Sequence, residues 1–171
     1  MATNTDHSDC VHTGTHSFTG TCNLPTSSVG DSQANSGDPI DTDKLKHRHA
    51  ITYYQADGTD VAAVTVPVFI ARAACTLVSV EVSCVDACEG GDKTFTVDVQ
   101  KADAATSAAT VLTTPVTYPA ETADYTVRTG TISSATVDDG DTLLVVVAVS
   151  GSTGNQGQGL CVTINIDESP T

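Results

Sequence analysis

The chain has 171 residues, which suits one domain, and its formal net charge of -14 comes from 21 acidic against 7 basic residues. Such a surface repels nucleic acid and anionic membranes, so neither is an expected partner. The chain has no Trp, one Met and three Phe. Its core is therefore expected to consist of Val, Ile, Leu and Ala.

Residues 1–46 are dominated by Thr, Ser, Gly, Asp and Asn, and their apolar residues are isolated. This composition predicts an extended N-terminal arm with no core of its own. Residues 47–171 are predicted to form the folded body. All five histidines lie within the first 49 residues, so the body has none beyond its start.

One group of possible metal ligands lies in the arm: His7, Cys10, His12, His16 and Cys22. Imidazole and thiolate bind Zn²⁺ tetrahedrally, so these residues are candidates for a structural zinc site. Their spacing matches no standard zinc finger. A Cys10–Cys22 disulfide and an arm without any ligand are the alternatives.

The first half of the body alternates apolar and polar residues, which predicts β-strands. Pro67 marks a sheet edge or a bulge. The third and fourth segments are expected to pair as a hairpin across the Glu-Gly-Gly-Asp turn, with Val78, Val80 and Val82 on one face of the third. The predicted strands are 47–55, 61–71, 75–85 and 93–102.

The second half of the body continues the pattern. Asp-Asp-Gly-Asp at 138–141 predicts a hairpin turn, and the following run TLLVVVAVSG is apolar on both faces, which indicates a central strand. The last segment alternates from Leu160 to Ile166. Shorter strands are expected near 110–117 and 126–137. The whole predicts an all-β antiparallel sandwich or jelly roll of about eight strands behind the extended N-terminal arm.

The four cysteines of the body have different expected roles. Cys84 and Cys88 flank a turn and favour a disulfide staple over two ordinary thiols. Cys75 and Cys161 each begin an apolar segment, so we expect them to act as small buried hydrophobic side chains.

Two charged groups have alternative interpretations. The His47-Arg48-His49 segment is either a subunit contact or a solvated strand start. Asp138, Asp139 and Asp141 are either Ca²⁺ ligands or part of a tight turn, and the turn explains them more simply. Beyond residue 49 the body has no histidine base to activate Ser or Cys, so catalysis is not expected.

The arm, followed by a body such as LVSVEVSCVDACEGGDKTFTVDVQKA and GDTLLVVVAVSGSTGNQGQGLCVTINID, resembles the capsid decoration (cement) proteins of tailed viruses. This resemblance implies a homotrimer on the capsid exterior that clamps neighbouring subunits of the major capsid protein. It also implies a virion protein assembled in the host cytoplasm. The acidic composition is similar to that of haloarchaeal virus proteins; an acidic mesophilic surface protein is the alternative.

A different class of function remains open, namely a carbohydrate- or receptor-binding β module on a virion spike or cell surface. Sugar rings usually stack on exposed aromatic side chains. The candidates here are Tyr53, Tyr54, Tyr118 and Tyr125.

Overall fold

The structure is a computed structural model that describes residues 47–103 and 107–168. These residues form ten β-strands, and none of them belongs to a helix that could cross a membrane. The strands are β1 His47–Tyr54, β2 Val64–Ile70, β3 Cys75–Ser83, β4 Thr94–Ala102, β5 Ala109–Thr110, β6 Val116–Tyr118, β7 Arg128–Thr129, β8 Thr136–Val137, β9 Thr142–Ser150 and β10 Cys161–Glu168.

The strands form two antiparallel sheets. The first sheet has the order β1-β10-β3, and both β7 and β8 pair with the far side of β3. The second sheet has the order β2-β9-β4, and both β5 and β6 pair with the far side of β4. The predicted all-β sandwich is therefore confirmed.

The strand order is that of a jelly roll. The short strands β5 and β6 occupy one position in the second sheet, and β7 and β8 occupy one position in the first, so ten strands fill eight positions. The chain alternates between the sheets through β1, β2, β3 and β4, and again through β8, β9 and β10. Two four-position sheets connected in this way have the jelly-roll topology.

The core lies between the sheets and is built from the inward side chains of the long strands. Val162, Ile164 and Ile166 of β10 are almost fully buried, as their alternation predicts. Phe95, Val97 and Val99 of β4 are buried in the same way. The core is closed by a stacked aromatic pair, Phe95 and Tyr118, whose ring centroids are 4.9 Å apart.

The prediction of β9 as a central strand is confirmed. It lies between β2 and β4, with Leu143, Val145 and Val147 buried in the core and Leu144 and Val146 half-buried on the outer face. A strand with neighbours on both sides and cover on both faces favours apolar residues at every position.

The predicted hairpin of the third and fourth strands is wrong. β3 belongs to the first sheet and β4 to the second, so residues 84–93 cross from one sheet to the other. The 138–141 turn likewise joins β8 of the first sheet to β9 of the second. The turn residues reverse the chain direction in both places, but the strands that they join pack face to face instead of pairing edge to edge.

The predicted faces of β3 are correct only for part of the strand. Val80 and Val82 are buried, but Val78 is 39% exposed and Leu77 is buried in its place. The register with β10 shifts at this point: Ser79 pairs with Asn165, and Leu77 pairs with Ile166. Val78 is therefore the extra residue of a β-bulge, and an extra residue reverses the face of every residue before it.

The sequence predicts that Pro67 marks a sheet edge or a bulge, and it lies at both. β2 is the edge strand of the second sheet, and its register with β9 shifts between Pro67 and Phe69. Proline has no backbone N–H to donate, and a bulge in an edge strand needs no N–H donor at that position.

Candidate binding surfaces

A cleft lies at one end of the sandwich, among the described residues. We call this end the loop end, because the long connections 55–63, 84–93, 119–127 and 151–160 meet there. The cleft has a volume of about 490 Å³. Its lining residues are Asp60, Asp86, Ala87, Glu89, Lys93, Asp124, Gly154, Asn155, Gln156 and Gln158.

Gln158 ties three connections together at the cleft. Its backbone bridges to both Asp60 and Asp86, and its side-chain Nε2 donates to Asp60 Oδ1 at 3.1 Å. A second bridge joins Glu89 to Asn155. The connections at the cleft are not part of a long β-ladder. Isolated β-bridges and side-chain amide contacts hold them together instead.

Three carboxylates accept backbone N–H groups of neighbouring loops. Asp124 Oδ1 accepts from Ala87 N at 3.0 Å, and Glu121 Oε1 accepts from Gly90 N at 2.8 Å. Asp92 Oδ1 accepts from Ser152 N at 2.9 Å and from both Thr153 N and Thr153 Oγ1 at 2.7 Å. Because hydrogen bonds to the ionised form favour it, these donors lower the pKa of Asp92 to about 2.

The cleft is a polar site with amide and carboxylate groups and one cation, Lys93. Gln156 is only 9% exposed, and its Nε2 lies 3.6 Å from Cys88 Sγ. No aromatic side chain lines the cleft, although the 70% exposed Tyr125 follows Asp124 directly, at a positive φ of 58°. The groups present can hydrogen-bond hydroxyls and amides of a ligand.

The expected Cys84–Cys88 staple is not formed: both residues are buried and free. The Cys84 thiol lies beside Tyr118, and Cys88 Sγ accepts from Gly157 N at 3.2 Å. Burial raises the pKa of both thiols. Each sulfur therefore has its own partner within the fold.

The other two cysteines begin strands as predicted, Cys75 in β3 and Cys161 in β10. Cys75 is buried at 5% exposure, and burial raises the pKa of its thiol. Cys161 is only partly buried on the outer face of the first sheet. The expectation of a buried hydrophobic side chain thus holds for Cys75 but not for Cys161.

The His47-Arg48-His49 segment forms the start of edge strand β1. Arg48 forms a bidentate ion pair with Asp167, with Nε–Oδ1 at 2.8 Å and Nη2–Oδ2 at 3.0 Å. His49 Nε2 lies 3.1 Å from Glu168 Oε2. The segment is an exposed strand start whose basic groups contact carboxylates of the same chain, and its role as a subunit contact stays a prediction.

The Asp-Asp-Gly-Asp segment forms the tight turn that the sequence predicts. Asp141 N donates to Asp138 O at 3.1 Å, Asp138 N donates to Asp141 Oδ2 at 2.8 Å, and Gly140 has a φ of 86°. The buried Asp141 pairs with Lys101 at 3.3 Å. Within 47–103 and 107–168, no group of three or more His, Cys, Asp or Glu residues is arranged to hold a metal ion.

The predicted zinc ligands His7, Cys10, His12, His16 and Cys22 lie outside the described residues, so the zinc site stays a prediction. It is tested by measuring bound zinc on the intact protein and on a Cys22→Ser variant. Equal zinc content in the two proteins would remove Cys22 from the ligand set.

Comparison with known proteins gives no family assignment. No protein-family model and no curated protein matches the chain. A chain from a structure of infectious bursal disease virus, Gt strain, is similar with a TM-score of 0.31 and 13% sequence identity. The similarity covers 75% of this chain and 39% of that chain.

Proposed function

We propose that this protein is a structural virion protein that decorates the exterior of a viral capsid and stabilises it by clamping neighbouring subunits of the major capsid protein. The observation that carries this proposal is that β1, the strand that follows the predicted 46-residue arm in the sequence, is an edge strand of a jelly roll. Jelly rolls occur in viral capsid and lectin domains. Because a fold alone does not define a function, the proposal also rests on the exposed surface of β1.

The surface of β1 suits a clamp. Six of its eight residues are exposed, and the other two, Ile51 and Tyr53, are only partly buried. Among the described residues it has a strand partner on one side, β10, so the backbone groups of its other edge are open to an added strand. A long polar arm that leaves such an edge gains order by lying along partner subunits, which gives a large interface from a short chain.

A repeating lattice would strengthen this contact. Each copy has a net charge of -14, which disfavours direct contact between free copies at low salt. Weak contacts within a homotrimer gain strength when all three arms bind one lattice, because the second and third binding events are intramolecular. We therefore expect a trimer on the particle to bind more tightly than one arm alone.

The proposal is tested by deleting residues 1–46 and measuring co-sedimentation with capsids that lack the protein. Because residues 47–103 and 107–168 contain a continuous buried core of their own, the deleted form should keep a cooperative unfolding transition but no longer join particles. The matched control is the full chain with Gln156→Ala in the loop-end cleft, which should bind particles normally. Wild-type incorporation of the deleted form would contradict the clamp.

A second candidate function is supported by the loop-end cleft, whose amides and carboxylates can hydrogen-bond a carbohydrate. In this alternative the protein is a glycan- or receptor-binding module of a spike or cell surface. The same two proteins separate the alternatives: glycan binding should survive the arm deletion and be lost with Gln156→Ala. This alternative would be excluded if neither protein bound glycans and the Gln156→Ala variant still bound particles.

A further inference from the structure

A second opening lies along one side of the sandwich, where the outer strands of the two sheets meet. We call it the edge groove; it has a volume of about 420 Å³ and is lined by residues 114–117 and 128–131. Its walls are β6 of the second sheet and β7 of the first. Four threonine hydroxyls and one guanidinium, that of Arg128, supply its side-chain polar groups.

The floor of the edge groove is fixed by backbone contacts between the sheets. Thr113 N donates to Thr131 O at 2.8 Å, and Leu112 bridges to Ile132. Gly130 packs so closely that a Cβ at its position would lie 3.1 Å from side-chain atoms of Leu112 and Val116. The groove is therefore formed before any ligand arrives, which reduces the ordering cost of binding.

Arg128 differs from Arg48 and Lys101 in its surroundings. Arg48 pairs with Asp167 and Lys101 with Asp141, but Arg128 makes no ion pair within the described residues. Its guanidinium lies 5.6 Å from the ring centroid of Tyr118, and its Nε is buried without a hydrogen-bond acceptor. A buried donor left unsatisfied costs free energy, so such a group requires an explanation.

We propose that the edge groove binds an extended peptide segment of a partner protein, with one acidic side chain of that segment placed on Arg128. A guanidinium presents a planar fork of N–H donors that fits the two oxygens of a carboxylate. The groove holds a single positive charge. It therefore matches a carboxylate monoanion better than a phosphate dianion, which the acidic surface would repel more strongly.

The strand edges favour a peptide over other carriers of a carboxylate. β6 and β7 are outer strands of their sheets within the described residues, so one edge of each has no strand neighbour. An added extended peptide can pair its backbone with such an edge while its side chains occupy the groove. The exposed Thr117 and Thr129 are positioned on these strands to bond its polar groups. This inference does not rest on the decoration role.

The test uses the full-length protein and three probes, followed through backbone amide and Arg128 Nε–H signals by NMR. The first probe is acetyl-Val-Thr-Asp-Thr-Val-amide, and the second is the same peptide with Asn in place of Asp. The third is the methyl glycoside of N-acetylneuraminic acid, a carboxylate carried by a sugar. We expect saturable shifts at residues 114–117 and 128–131 with the Asp peptide, and at least about tenfold weaker binding of the Asn peptide.

Variants connect the binding to the groove. Arg128→Lys keeps the charge but removes the fork, and we expect it to weaken binding of the Asp peptide by about tenfold. Because Arg128 packs on Tyr118, a second variant leaves it in place: Thr129→Glu adds a repelling carboxylate at an exposed position. Thr65→Glu, on exposed β2, adds the same charge away from the groove and should change binding by less than about twofold.

Three results would overturn the inference. The first is equal affinity for the Asp and Asn peptides, or no binding of either. The second is unchanged affinity in Thr129→Glu, which would place the peptide elsewhere. The third is tighter binding of the sugar than of the Asp peptide, with shifts in the same groove, which would assign the groove to an acidic glycan instead.

Discussion

The loop end of the sandwich and its opposite end are held in place by different means. At the loop end, four long connections are ordered by carboxylates that accept backbone N–H groups and by backbone bridges through Gln158. The opposite end, which we call the turn end, has the tight turn at 138–141 and a partly buried ion pair between Lys101 and Asp141. The loop end therefore depends on many small polar contacts, and the turn end depends on a few strong ones.

The loop end and the turn end also differ in the space that they leave for a cleft. Long connections that meet face to face leave space between them, and their polar groups line that space. Near the turn end, the described residues form a smaller opening of about 360 Å³, which His49, Ile51 and Phe69 help to line. Changes at the loop end should therefore alter the cleft, whereas changes at the turn end should alter stability alone.

The largest expected effect concerns the aromatic pair beneath the loop end. Phe95→Ala removes a fully buried ring that stacks on Tyr118, and we expect it to lower the free energy of unfolding by about 3–5 kcal/mol. Chemical denaturation measures the loss. Gly157 lies against the Phe95 ring, so the loop 151–160 should also lose hydrogen-exchange protection. Unchanged protection there would show that the loop end is ordered independently of the core.

Two glycines at positive φ provide a matched comparison of the ends. At the turn end, Gly140 has a φ of 86° and open space around it, so Gly140→Ala should cost about 1–2 kcal/mol from backbone strain. At the loop end, Gly154 has a φ of 89°, and a Cβ there would overlap backbone atoms of Glu89 and 90–91. We expect Gly154→Ala to cost about 2–5 kcal/mol, since crowding adds to strain. Equal unfolding midpoints would contradict this difference.

The ion pair of the turn end has a smaller expected effect. Lys101→Met leaves the buried Asp141 carboxylate with the Asp138 N–H as its hydrogen-bond partner within the described residues, and Lys101 also donates to Thr136 O at 3.1 Å. We expect a loss of about 1–3 kcal/mol in thermal or chemical unfolding, because a buried charge loses its cation. The double variant Lys101→Met with Asp141→Asn should recover part of that loss. No recovery would assign the loss to the missing hydrogen bond from Lys101 to Thr136 O instead of to the ion pair.

The smallest effect is a local response of the loop end to acid. The pKa of Asp92 is lowered from 3.8 to about 2, so its contribution is present above pH 3.8 and is lost as the pH falls toward 2. Amide exchange of Ser152 and Thr153 should therefore accelerate across this range. Asp92→Asn should remove the pH step at these two amides. A step of the same size in that variant would assign the titration to another group.

The strands were predictable where the alternation is uninterrupted. β10 alternates from Leu160 to Ile166 without a bulge, so its inward face follows from the sequence. β3 contains an extra residue at Val78, and nothing in a run of Val, Ser and Glu marks where a bulge will shift the faces. The wrong hairpin has a related cause: a turn sequence specifies that the chain reverses but not which strand becomes the neighbour.

The candidate sites were less predictable than the strands. The loop-end cleft assembles Asp60, Asp86, Asp124 and Gln158 from four connections that are distant in sequence, so no local motif marks it. Arg128 has no distinctive neighbours in the sequence. Its importance depends on the absence of an ion-pair partner within the described residues, which only the fold reveals.

The pairing of the first and last described strands has a consequence for folding. Arg48 and Asp167, joined by an ion pair, are 119 residues apart in sequence. Contacts between such distant residues slow folding, because the intervening chain must be ordered before they form. During synthesis β1 has to wait for β10, the last of the ten described strands in chain order, before it gains its neighbour. Until β10 has been made, β1 lacks the strand that it pairs with among the described residues, which makes early association with other chains a hazard for this protein.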